Sequence, residues 1–234
     1  MRLAIIFSLL FLHGNLTAKA TGSGNETLNT RQRHIAVIAA FTAKGDQENL
    51  RKALHRGLDD GLTINETKEV LIQMYAYCGF PRSLNGLNTL LAVTKERKQK
   101  GLEDRTGKDA EEFPKDKSVL EAGTEIQTRL VGRPVTGELY EFAPVIGIFL
   151  KSHLFGDIFL RDILNHQERE IATIAALASM KGVENQLRSH LNVGMNTGLS
   201  ATQLRDLTAT LKTQVDKAVG KRAEKLLNNI LNSK

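Results

Sequence analysis

At 234 residues, with 41% hydrophobic and 25% charged side chains, the chain is long enough to bury a real core and too apolar to stay disordered. A formal charge of +6, no Trp and only 5% aromatic residues argue against a stacking platform for nucleic acid. With one cysteine there is no disulfide framework, and no HExxH, CxxC or His/Asp cluster has metal-ligand spacing.

Residues 1–20 differ from the rest. Met1-Arg2 gives a positive start, Leu3 to Leu12 is apolar, and Ala18-Lys19-Ala20 is a small-x-small cleavage site. This pattern predicts a secretory signal peptide cut after Ala20, hence an exported, periplasmic or secreted protein. Losing Arg2 and Lys19 lowers the formal charge from +6 to +4. No later run is long enough to span a bilayer, since Phe142 to Leu154 is interrupted by Pro144, Gly147 and Lys151.

The rest reads as helices. In 31–43, Ile35, Ile38, Ala39 and Thr42 follow the i, i+3, i+4 spacing of a helix face. Lys44-Gly45-Asp46 stops that helix, and a second runs from about Gln47 to Leu58. Thr63-x-x-Glu66 is a capping box opening a third, which carries Val70, Leu71, Met74 and Tyr75 and ends near Gly79. Pro81 suits the start of a fourth, with Leu84, Leu87, Leu90 and Leu91 on its apolar side. The charged stretch 95–118 reads as an exposed linker, and helices follow over 119–131 and 139–154. Ser200-x-x-Gln203 repeats the capping device before one or two amphipathic helices over 200–232. Few segments alternate with a period of two, so no sheet is expected.

The chain also repeats itself. LNTRQRHIAVIAAFTA at 28–43 and LNHQEREIATIAALAS at 164–179 are identical at half their positions, at an offset of 136. One residue is then gained, and Lys44-Gly45, Leu50-Arg51, Leu54, Gly57 and Gly61-Leu62 reappear as Lys181-Gly182, Leu187-Arg188, Leu191, Gly194 and Gly198-Leu199. A period this long points to a duplicated domain. The copies differ where chemistry could live: the second has Glu170 and His190, where the first has His34 and Ala53. A helical hairpin turning at Gly182 brings Glu170 and His190 to within a turn or two of the same level. A carboxylate beside an imidazole sets its tautomer and supports proton transfer. On their own, a Glu and a His on a helical hairpin are more often a buried salt-bridged pair than a catalyst. Arg188 or Arg169 could hold a substrate carboxylate.

The segment REIATIAALASMKGVENQLRSHLNVGMNTGLSATQL resembles the carboxymuconolactone decarboxylase family, whose all-helical fold is shared with alkyl hydroperoxidase D. RHIAVIAAFTAKG and the YCGFPRSLN stretch of the first copy are similar to it too. The resemblance implies an all-α chain of two tandem alkyl hydroperoxidase D-like domains packed together. Its expected division is a signal peptide over 1–20, repeats over 28–98 and 136–234, and a charged linker over 99–135. It implies that Glu170 and His190 are the acidic and histidine active-site positions. The expected activity is cofactor-independent, carboxy-lyase-like chemistry on a small carboxylated lactone or carbonyl compound. Export argues against the family's own lactone as the natural substrate. The peroxidase-linked branch of the family needs a CxxC, and this chain has Gly182-Val183-Glu184-Asn185-Gln186 there. A peroxiredoxin-like alternative would rest on Cys78 alone, and a third reading is a non-catalytic exported binding protein. A composite site adding Cys78 or Arg82 from the first copy to Glu170 and His190 is a further possibility. Small helical domains of this kind cover their apolar faces with copies, and a trimer is expected.

Overall fold

Two alanine-rich helices run side by side through the middle of the protein. They are α1 (Thr30–Lys44) and α9 (His166–Ser179), and each is the other's most extensive neighbour. In this computed structural model, residues 26–113 and 116–233 are described, so the expected signal segment 1–20 lies outside the described residues. Between α1 and α9 lie α2 (Gln47–Asp59), α3 (Ile64–Gln73), α4 (Tyr75–Cys78), α5 (Phe80–Gln99), α6 (Val119–Val131), α7 (Glu138–Phe142) and α8 (Pro144–Phe149). A π-helix (Leu150–Ile158) precedes α9, and α10 (Glu184–Asn196), α11 (Ala201–Gln214) and α12 (Lys217–Asn232) complete the chain. Among the described residues there is no strand, so the fold is all-α.

The sequence marks most helix starts. Both expected capping boxes form: Thr63 accepts from the Glu66 amide and Ser200 from that of Gln203, and the reciprocal bonds close each box. Asn29, Ser118 and Asn165 build three more. Gly45 ends α1 in the left-handed region at φ 72°, which costs a glycine little.

The spacing in 31–43 predicts one apolar face, yet α1 is buried on nearly every side from Ile35 to Ala43. The reason is α9, which covers a second face of α1 while α2 covers the first. Small residues permit the approach. A Cβ placed at Gly57 of α2 would stand 3.4 Å from Ile38, and one at the matching Gly194 of α10 3.2 Å from Ile174. One cluster of buried side chains therefore draws on both repeats, from Leu28 through Ile35, Leu54 and Leu71 to Ile174, Leu191 and Leu211. A smaller cluster joins α6, the π-helix and α10 through Ile126, Leu130, Leu154, Phe155 and Val193.

Three stretches depart from the sequence reading. The third helix is interrupted at Met74, giving α3 and α4. The single helix expected over 139–154 is three elements. Ala143 leaves helical geometry (φ −132°, ψ 71°) because Pro144 follows and clashes with a helical predecessor. The segment after α5 is exposed, as its composition predicts, but it is docked: the Ile64 and Asn65 amides donate to the carbonyls of Arg105 and Thr106 at 2.9 Å. Those amides open α3, and an unpaired helix start is a ready donor for passing backbone. Arg97, nearly buried, grips Asp104 at 2.8 Å and Asp59 at 2.7 Å, which anchors the same strap.

No described helix is long and apolar enough to cross a membrane. Leu139, Phe142, Val145, Ile146, Ile148 and Phe149 of α7 and α8 are all exposed.

Candidate active site

Glu170 lies in the second turn of α9 and is fully buried, because α9 is covered on all sides there. His190 lies on α10, which packs against α9. The imidazole Nδ1 stands 2.8 Å from Glu170 Oε2, and the His190 side chain keeps 15% of its surface exposed. With Glu170 ionised, Nδ1 carries the hydrogen, and Nε2 is left to take or give a proton. Glu170 Oε1 is buried without a hydrogen bond. The pair expected from the sequence is therefore brought together, one oxygen of it unsatisfied.

A third group enters from the first repeat. The Tyr77 ring meets the His190 ring edge-on, centroids 5.5 Å apart. Its hydroxyl is buried and finds no well-aligned partner, although Thr173 lies beside it. Burial, reinforced by the negative charge of Glu170, pushes the phenol far above its ordinary pKa. The two residues that touch the imidazole thus each hold a buried polar atom without a hydrogen bond, the Tyr77 hydroxyl and Glu170 Oε1, and buried groups in that state are uncommon in folded proteins. Tyr77 was missed by sequence reasoning. It is 93 residues before Glu170, and only the packing of α4 on α9 joins them.

The other expected residues sit elsewhere. Arg169, next to Glu170 in sequence, is fully buried in an ion pair with Glu69 of α3 at 2.8 Å. It also donates to Gln73 Oε1 at 2.9 Å and to the Arg161 carbonyl at 2.6 Å. Phe159 lies under the guanidinium at 5.7 Å. Arg188 is exposed and stands two residues from His190, which puts it on the other side of α10. Cys78 is half-buried, and its thiol donates to the Met74 carbonyl at 3.0 Å. Burial pushes that thiol up to about 11, against a smaller opposing pull from Arg82. Arg82 itself lines a separate cleft that neither Glu170 nor His190 touches.

At the places matching Glu170 and His190, the first repeat has His34 and Ala53. His34 Nε2 is turned to Asp60 at 2.6 Å, and Ala53 is buried. No equivalent pair exists there.

Residues 13–92 match the sequence model of the carboxymuconolactone decarboxylase family. That stretch is similar to the carboxymuconolactone decarboxylase family. The match starts just after the apolar run Leu3 to Leu12 and covers α1 to α4 and most of α5, the repeat that lacks the Glu–His pair. The intact Glu170–His190 pair thus lies outside the matched stretch, in the second copy. No curated protein matches the chain.

Proposed function

We propose that this protein is a cofactor-independent acid–base catalyst acting on a small carboxylated lactone or carbonyl compound. The observation that carries it is the buried Glu170 carboxylate holding His190 Nδ1 at 2.8 Å, with the ring still partly open. In decarboxylation the substrate's carboxylate leaves as carbon dioxide. The electron pair of the broken C–C bond moves into the conjugated carbonyl, and the resulting enolate takes a proton at carbon. His190, protonated on both nitrogens and held by Glu170, gives that proton from Nε2 and regains it from solvent. Tyr77, kept protonated by burial, donates to the enolate oxygen.

Turnover of 4-carboxymuconolactone and related carboxylated lactones, followed by carbon dioxide release, tests this reading. His190→Ala is expected to lower kcat/KM by about 10²–10⁴-fold. Equal turnover in wild type and His190→Ala would refute it, and a change in stability alone would favour a binding protein. Peroxide turnover by thiol exchange is disfavoured, since the chain has one cysteine and burial pushes its thiol up to about 11.

Export after cleavage at Ala20 belongs to the same proposal, and so does a trimer in which copies cover the exposed residues of α7 and α8. Mass spectrometry of the mature N-terminus tests the first. Light scattering on the eluting protein tests the second, and a clean monomer would sink it.

A further inference from the structure

A cleft of about 570 Å³ opens where the ends of α1 and α9 meet the start of α12. Its volume lies within the range of small-molecule sites. Lys44, Arg82, Lys181 and Arg222 line it, against a single carboxylate, Asp216. Lys44 and Lys181 occupy matching places in the two repeats, each beside the glycine that turns the chain. The packing of α1 on α9 therefore delivers both lysines to one space.

Asp216 is already committed. Its Oδ1 caps α12 through the Ala218 amide at 2.7 Å, and Lys44 binds its Oδ2 at 3.1 Å. Three cations remain uncompensated. Arg82 and Lys181 make no hydrogen bond or ion pair among the described residues. Arg222 gives one nitrogen to the Ala178 carbonyl, and its Nε is buried without a partner. Cations crowded without counter-charge repel one another, and an anion relieves that cost. Met180, Val183 and Val219 add an apolar part to the wall.

We propose that this cleft binds a small organic anion, one bearing two carboxylates or a phosphate on a short apolar body. The charged groups engage Arg82, Lys181 and Arg222, and the body lies on Met180, Val183 and Val219. Planar guanidinium groups suit the paired oxygens of carboxylate and phosphate. The site is distinct from the Glu170–His190 pair. Glu170 stands nine residues before Ser179, the residue of α9 at the cleft, which is about 13 Å of helix.

Calorimetric titration of the full chain at low salt, with phthalate and with inorganic phosphate, tests the proposal. Phthalate should bind saturably, and phosphate should bind about tenfold more weakly for want of an apolar body. Arg82 and Lys181 are both exposed, so Arg82→Gln with Lys181→Gln should fold normally, as a thermal melt verifies. That double variant should weaken phthalate by about tenfold or more, as expected for losing two charge-assisted contacts. His190→Ala should leave phthalate binding unchanged, which separates this site from the proposed catalytic one. Absence of phthalate binding at ~10 mM, well beyond the ~1 mM of weak specific ligands, overturns the proposal. So does undiminished binding by the double variant, or equal loss in His190→Ala. Phosphate binding as tight as phthalate overturns the organic-anion assignment.

Discussion

Replacing Glu69 by Ala is expected to be among the most damaging changes this fold can suffer away from its apolar core. Glu69 lies on α3 in the first repeat and Arg169 on α9 in the second, so their 2.8 Å contact ties the repeats together. Arg169 is 0% exposed and Glu69 1%. Without the carboxylate, the guanidinium keeps only the neutral oxygens of Gln73 and Arg161, and its Nε is already unpartnered. Breaking one side of a buried ion pair typically costs about 3–5 kcal/mol, because a charge is left in a medium that solvates it poorly. Arg161, the other partner of Glu69 at 3.0 Å, is 42% exposed, so water can replace its contact at little further cost. For a domain of this size the loss corresponds to a fall of about 6–20 °C in Tm. Urea unfolding followed by circular dichroism would measure it. The compensating change Arg169→Met, made together with Glu69→Ala, removes both charges and should recover much of the stability. A loss below about 1 kcal/mol for Glu69→Ala, or no recovery in the double variant, would refute the reasoning.

Three further expectations follow from other residues. Tyr77→Phe removes a buried hydroxyl that satisfies nothing, so urea unfolding should show unchanged or slightly raised stability, within about 1 kcal/mol, while lactone turnover falls. A loss of stability above 2 kcal/mol would mean the hydroxyl is a structural donor after all. Burial pushes the Cys78 thiol up to about 11 from an ordinary 9.0, so far less of it than usual is thiolate at neutral pH. Its alkylation by iodoacetamide should therefore be slow at pH 7 and accelerate about tenfold per pH unit toward pH 11, and rapid labelling at pH 7 would contradict the burial. Gly123→Ala on α6 would drive a methyl group into the Lys151 carbonyl of the π-helix, two rigid backbones in contact. A loss of about 1–3 kcal/mol or more is expected in thermal melts, and an unchanged melt would show that the two helices separate freely.

Much of the local structure was legible from spacing. The capping boxes at Thr63 and Ser200, the stop at Gly45 and the helix over 119–131 follow from side-chain chemistry within a few residues. So does the level at which Glu170 and His190 meet, since a hairpin joins positions at similar distances from its turn. The failures have a common cause. Arg169 read as a free anchor because a sequence shows its charge but not Glu69, 100 residues earlier. The strap after α5 read only as an exposed linker, because its polarity suits water as well as it suits the open amides of α3.

The amino-acid order by itself determined the all-helical class, the internal repeat and the candidacy of one Glu–His pair, because these depend on periodicity and short-range hydrogen bonding. Only the tertiary structure decided what surrounds that pair and which cations share a cleft. The helices packed around α9 bury Glu170, and the packing of α4 on α9 sets Tyr77 against His190. The meeting of α1, α9 and α12 gathers Lys44, Lys181 and Arg222. Those encounters are set by how buried faces fit across the two repeats, and the residues concerned carry no local mark of their future neighbours.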